Sequence, residues 1–226
     1  KLVLVSTRDN GIKSMVLPAM EFNHCIVLAK LGGKDCYLEM TDNHLPFGAL
    51  PNNLIGALTL VVPRQTSNEQ VELTPLSSAT RIPDASIKRI EVQVENNDLK
   101  FSVDAKRLGG ITSEWRSEYA NMSNDDMRKK LEKSISGSYK NAVKLLDIKF
   151  SGLNTLDDSV LLKYHYTAKN EVIDAGSMKM IRVPFLDIIA SVDNFSADER
   201  TFPIEYWRYE NTDVYENIVT VKLAPN

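Results

Sequence analysis

The chain has 226 residues, a net charge of -3 and an ordinary globular balance of 43% hydrophobic and 25% charged residues. That length is sufficient for one large domain or two small ones with a buried core. The sequence has no basic patch or tail, which argues against binding to nucleic-acid phosphates. No apolar run approaches the 18 residues that a membrane-spanning helix needs.

The first 65 residues are rich in predicted strands. A turn at Gly32-Gly33 separates two of them. Residues 64–78 are polar and rich in Pro, Ser and Thr, and we place a domain boundary there, which gives parts at 1–65 and 66–226. Because Lys1 to Val5 already has the pattern of a strand inside a domain, we expect a fragment whose N-terminal part is missing. The predicted strands of this part cover 2–6, 22–31, 35–41 and 56–62.

The second part alternates strand signals with one helical pattern. Residues 90–95 and 99–104 alternate apolar and polar side chains around an Asn-Asn-Asp turn. After Ser123, which begins a capping-box pattern, apolar residues at helical spacing predict one long helix at about 124–146. The predicted fold class is therefore α+β, with a mainly antiparallel sheet. The remaining predicted strands cover 111–119, 160–167, 178–183, 201–209 and 214–223.

The hairpin around Gly32-Gly33 brings a histidine towards a carboxylate. If the two glycines form a two-residue turn, Leu31 faces Lys34, and His24 becomes a diagonal neighbour of Glu39 on the same face. A four-residue loop would keep these faces together, and a three-residue loop would separate them. Asp42 falls on the opposite face unless the strand ends before it.

A paired histidine and carboxylate can serve catalysis. The carboxylate holds the imidazole in one tautomer, and the imidazole then activates a thiol or hydroxyl nucleophile. Neither Cys25 nor Cys36 fits as that nucleophile, because both point to the other face, and we expect both thiols to be free. A simple cross-strand contact without function is the alternative interpretation.

At these residues the sequence resembles the transglutaminase-like superfamily. The similarity is to bacterial proteins in which such a core lies between two β-rich domains of unknown function. It is carried by Phe22-Asn-His-Cys-Ile-Val27, Tyr37-Leu-Glu-Met-Thr-Asp42 and Leu50-Pro-Asn52. The resemblance implies that His24 is the catalytic base and that Glu39 replaces the usual aspartate, with a carboxylate displaced by about 1.5 Å. Met40 replaces the usual proline.

The resemblance also implies where the remaining parts lie. The family's cysteine stands on a helix start before the histidine, so residues 1–65 would be the C-terminal half of a cysteine-protease-like core and this chain alone would be inactive. Residues 66–226 resemble the family's following β-rich domain more loosely.

Two functions follow from the resemblance as expectations. The first is a fragment of an exported protein, periplasmic or at the cell surface, that acts on a protein or peptide substrate by a Cys-His-acid mechanism. The second is a non-catalytic binding or assembly module with a degenerate triad, which the Glu39 and Met40 departures favour. The sequence contains no cofactor or metal motif. A half-domain would expose apolar surface, so self-association is expected.

Overall fold

The structure is a computed structural model that describes residues 1–10, 22–64, 71–76, 82–182, 199 and 212–223. Its first sheet contains five strands in the order β3-β2-β1-β4-β5, and every neighbouring pair is antiparallel. The strands are β1 (Leu2–Ser6), β2 (His24–Leu31), β3 (Lys34–Leu38), β4 (Leu58–Val61) and β5 (Leu73–Pro75).

One face of this first sheet forms a small core. Val3, Val5 and Ile26 are almost fully buried there, and the loop that contains Leu50 and Leu54 covers them. Alternation along β1 explains the choice of face, because Val3 and Val5 point inward and are buried, whereas Leu2 and Leu4 are exposed or partly exposed. The face that carries His24 is therefore the core face, since His24 pairs with Val5.

The second sheet has the order β12-β6-β7-β9-β8. Its pairs are antiparallel except for β12, which runs parallel to β6. A separate two-stranded hairpin follows β9. The strands are β6 (Ala85–Glu95), β7 (Asp98–Leu108), β8 (Val143–Ser151), β9 (Ser159–Ala168), β10 (Val172–Ala175), β11 (Met178–Ile181) and β12 (Val214–Lys222). The predicted α+β class with a mainly antiparallel sheet is confirmed.

Helix α1 (Thr112–Tyr119) corrects the predicted strand at 111–119. Its threonine, tryptophan and tyrosine favour strands by intrinsic propensity, which is the source of the error. Its buried residues, Thr112, Trp115, Arg116 and Tyr119, follow the i, i+3, i+4, i+7 spacing, so that they share one helix face.

Helix α2 (Asn124–Ser136) is shorter than the predicted helix at 124–146. Its start is as expected, since the Ser123 hydroxyl accepts a hydrogen bond from the Asp126 N–H at 3.2 Å. The helix ends before Gly137, and residues 143–151 form β8 instead. The apolar residues after Gly137 match the helical spacing only by coincidence. They belong to β8, where a bulge between Leu145 and Asp147 interrupts the alternation of a regular strand.

The two sheets meet through the loop that follows β3. The 3₁₀ turn that precedes α1 lies against this loop, because the Gly110 Cα hydrogens face the Leu50 carbonyl. The Gly110 N–H donates a hydrogen bond to the Asp84 carboxylate at 2.5 Å. β5 lies within the predicted linker and pairs with β4. The division into parts at 1–65 and 66–226 stays a prediction, and the predicted strand at 201–209 lies outside the described residues.

Candidate functional site

The turn between β2 and β3 sets the register of the site. Gly32 and Gly33 have φ angles of +55° and +82°, which glycine adopts without strain, and the primed two-residue turn they form suits a hairpin. Leu31 consequently pairs with Lys34, and the ladder continues to Val27 opposite Leu38. Of the loop lengths that the sequence left open, the two-residue turn is the one present.

His24 and Glu39 are in direct contact across this hairpin. The Nε2 atom of His24 lies 2.6 Å from Oε2 of Glu39. The Glu39 side chain is only 2% exposed and that of His24 is 22% exposed, so the imidazole covers the carboxylate. The predicted contact between the two residues is therefore present, whereas a catalytic role for either stays a prediction.

The other oxygen of Glu39 is bound by Thr41. Its Oε1 accepts hydrogen bonds from the Thr41 N–H and from the Thr41 hydroxyl, each at 2.7 Å. Burial of the Glu39 carboxyl raises its pKa, but the hydrogen bonds from Thr41 and His24 outweigh this effect, and the pKa lies below the ordinary glutamate value. The carboxylate is thus held in its charged form, which suits an acceptor of the imidazole N–H.

Strand β1 fixes the start of β2, and with it His24. The Asn23 side chain receives the Thr7 N–H at 2.9 Å and donates to the Thr7 hydroxyl at 2.7 Å. The Asn23 N–H also donates to the Val5 carbonyl at 3.1 Å. These bonds are made by the residue adjacent to His24, and they hold the backbone of the histidine against the central strand.

The nitrogen that Glu39 leaves available is Nδ1. Since Nε2 is engaged by the carboxylate, a proton can enter or leave the imidazole from outside only at Nδ1. No hydrogen bond to Nδ1 occurs within the described part of the chain. A nucleophile placed beside this atom would complete a base-activated site.

The remaining candidates lie elsewhere. Cys25 and Cys36 are free thiols, as predicted, and the register places both on the face opposite His24. The Asp42 carboxylate instead accepts the His44 N–H at 2.8 Å and makes no hydrogen bond to His24 among the described residues. The described residues contain no group of three or more His, Cys, Asp or Glu side chains suited to a metal ion.

Arg116 supports the loop behind the site, and sequence reasoning did not find it. This arginine is fully buried. Its guanidinium donates to the His44 carbonyl at 3.0 Å and to the carbonyls of Gly152 and Asp157 at 3.1 and 2.5 Å. Burial lowers the pKa of Arg116. The signal that could have revealed it is the four-residue spacing from Thr112, whose hydroxyl it also contacts.

Comparison with known proteins adds no relative to this geometry. No family model, no curated protein and no solved structure matches the chain. Among the described residues, no helix has both the length and the apolar character needed to cross a membrane.

Proposed function

We propose that His24 and Glu39 are the base and its orienting acid in a Cys-His-acid site that acts on peptide or amide bonds. The observation that carries the proposal is the 2.6 Å contact between Nε2 and a buried carboxylate, which leaves Nδ1 for a nucleophile. The chain would be part of an exported transglutaminase-like protein, periplasmic or at the cell surface, as its resemblance implies.

The nucleophile would come from residues outside these 226. The chain contains two cysteines, and both are on the wrong side of the hairpin for Nδ1 of His24. In the proposed reaction, Nδ1 takes the thiol proton, and the thiolate attacks the carbonyl carbon. The imidazolium then returns the proton to the departing amine. Water or a second amine attacks the thioester, which releases an acid or a new amide and restores the thiol.

The glutamate is compatible with this role. Although its side chain is one methylene longer than that of the aspartate usual in the resembling proteins, its oxygen reaches the imidazole at hydrogen-bond distance. The departure from aspartate is therefore weak support for the alternative, a binding or assembly module with a degenerate triad.

The decisive experiment uses the coding sequence that precedes Lys1. If it encodes a cysteine at a helix start, the extended protein should release ammonia or amine from an amide substrate, and the present chain alone should not. His24→Ala in the extended protein should reduce kcat by at least ~10²-fold, because the general base is lost. Alanine or glycine in place of that cysteine would favour the binding module.

His165→Ala is the matched control. His165 also contacts a carboxylate, with its Nδ1 at 2.8 Å from Asp147 Oδ1, but this pair is exposed on the second sheet. Its substitution should leave turnover unchanged. The proposal is wrong if the extended protein retains full activity after His24→Ala. It is also wrong if the present chain alone cleaves amides and loses that activity with His24.

A further inference from the structure

Thr41, which follows the hairpin, fixes the orientation of the Glu39 carboxylate. β3 ends at Leu38, and the chain then bends so that the backbone and side chain of Thr41 both reach back to Glu39. Both hydrogen bonds go to Oε1, and Oε2 alone faces the imidazole. The two oxygens of one carboxylate are thus assigned to different partners.

A glutamate needs such a constraint more than an aspartate does. Its side chain has an additional rotatable bond, and fixing a long side chain in one rotamer has an entropic cost. Hydrogen bonds to a charged oxygen are stronger than those between neutral groups, so two of them can hold the carboxylate against rotation. Without them, Oε1 would lose its partners while the side chain stays 2% exposed.

We propose that Thr41 is a positioning residue of this site, which fixes the Glu39 carboxylate so that Oε2 holds Nε2 of His24 and leaves Nδ1 available to a nucleophile. The proposal rests on the proposed function for the role of His24 as a base. The clamp itself is a property of this chain and is measurable without a nucleophile or a substrate.

Thr41 is a favourable position for a test. The residue is exposed and belongs to neither hydrophobic core, so its substitution removes a hydrogen bond without leaving a cavity. Thr41→Val removes only the hydroxyl, and Thr41→Ser restores it. Thr155→Val is the control, because the Thr155 hydroxyl donates to the Asp157 carboxylate at 2.7 Å, two residues away in sequence, in a pair that does not include Glu39 or His24.

The experiment is NMR on the present chain labelled at histidine and glutamate, since three histidines give few signals. The wild type should show a slowly exchanging Nε2–H of His24 at low temperature and a Glu39 pKa below the ordinary range. Thr41→Val should speed the exchange and raise the pKa of Glu39, because the hydroxyl hydrogen bond to its charged form is lost while the bond from the Thr41 N–H remains. Thr41→Ser should restore both, and Thr155→Val should change neither.

Two results would overturn the positioning role. One is an unchanged Nε2–H signal and an unchanged Glu39 pKa in Thr41→Val. The other is equal effects in Thr41→Val and Thr155→Val. Failure of the proposed function gives a different result, because an inactive extended protein would leave these spectra as they are.

Discussion

The two sheets differ in the face that each turns away from its core. On the second sheet this face is charged, with ion pairs between neighbouring strands such as Lys163–Asp104 at 3.2 Å and Lys222–Glu91 at 2.6 Å. On the first sheet the same kind of face carries leucines. Leu2 and Leu73 are 55% and 40% exposed, and Leu4 and Leu60 between them are partly exposed.

The difference shows that the two sheets distribute their apolar residues differently between their faces. An antiparallel sheet with one face in water usually alternates apolar and polar residues, and the second sheet does so. The first sheet is apolar on both faces, a pattern typical of strands that are covered on both sides. Among the described residues, its outer face has no cover of comparable extent, and exposed apolar surface of this kind favours association.

Arg116 gives the strongest test of how the two regions depend on each other. We expect Arg116→Met to lower the free energy of unfolding by about 3 kcal/mol or more, because buried carbonyls of both regions lose their donor. Urea unfolding followed by circular dichroism measures this loss. The matched control is Arg89→Met, where an exposed arginine lies 3.7 Å from Glu216 and should matter by less than about 0.5 kcal/mol. Equal stability of the two variants would mean that Arg116 does not connect the regions.

The sequence offered the two-residue Gly-Gly turn as one of three loop lengths, and for that turn the alternation of side chains placed His24 and Glu39 on one face. It did not predict the Thr41 clamp. That feature depends on how the chain bends after Leu38 and on which rotamer Glu39 adopts, and neither is encoded in a repeating pattern. A threonine two residues after a glutamate is too common to indicate such a bond.

The errors in the second part have a similar cause. α1 contains residues that prefer strands, and packing of one helix face against the sheet outweighed that preference. The burial of Arg116 could not be predicted from residue type either, because arginine is rarely buried unless its donors are satisfied. Local patterns therefore predicted the strands with clear alternation, such as those at 90–95 and 99–104, and failed at 111–119, where tertiary contacts decided the outcome.

The second prediction concerns the apolar outer face of the first sheet. We expect the wild-type chain to self-associate as its concentration rises, and the double variant Leu2→Lys/Leu73→Lys to be monomeric, because two charges would have to be buried on association. Light scattering across a concentration series measures this. Leu161→Lys serves as control, since Leu161 is 37% exposed on the charged face of the second sheet. A wild-type chain that stays monomeric at high concentration would contradict the expectation.

The prediction with the smallest expected effect compares how one carboxylate from each region contributes to the pH dependence of stability. The pKa of Glu39 is lowered in the folded chain, so its contribution to stability is present above the ordinary glutamate pKa of about 4.3 and is lost as the pH falls through the lower folded value. Glu39→Gln should therefore flatten the pH dependence of the unfolding free energy below about pH 5. Glu91, whose pKa the hydrogen bond from Lys222 lowers, should behave in the same direction.

Salt distinguishes these two carboxylates. Glu91 lies on the charged face with its side chain 38% exposed, so 0.5 M NaCl should weaken its interaction with Lys222 by ionic screening. The Glu39 carboxylate is shielded by His24 and bound by Thr41, so its pH-dependent contribution should persist at that salt concentration. If salt removed the Glu39 contribution as completely as that of Glu91, the carboxylate would be solvated in solution. An imidazole bound to a solvated, mobile carboxylate would no longer be held in a single orientation.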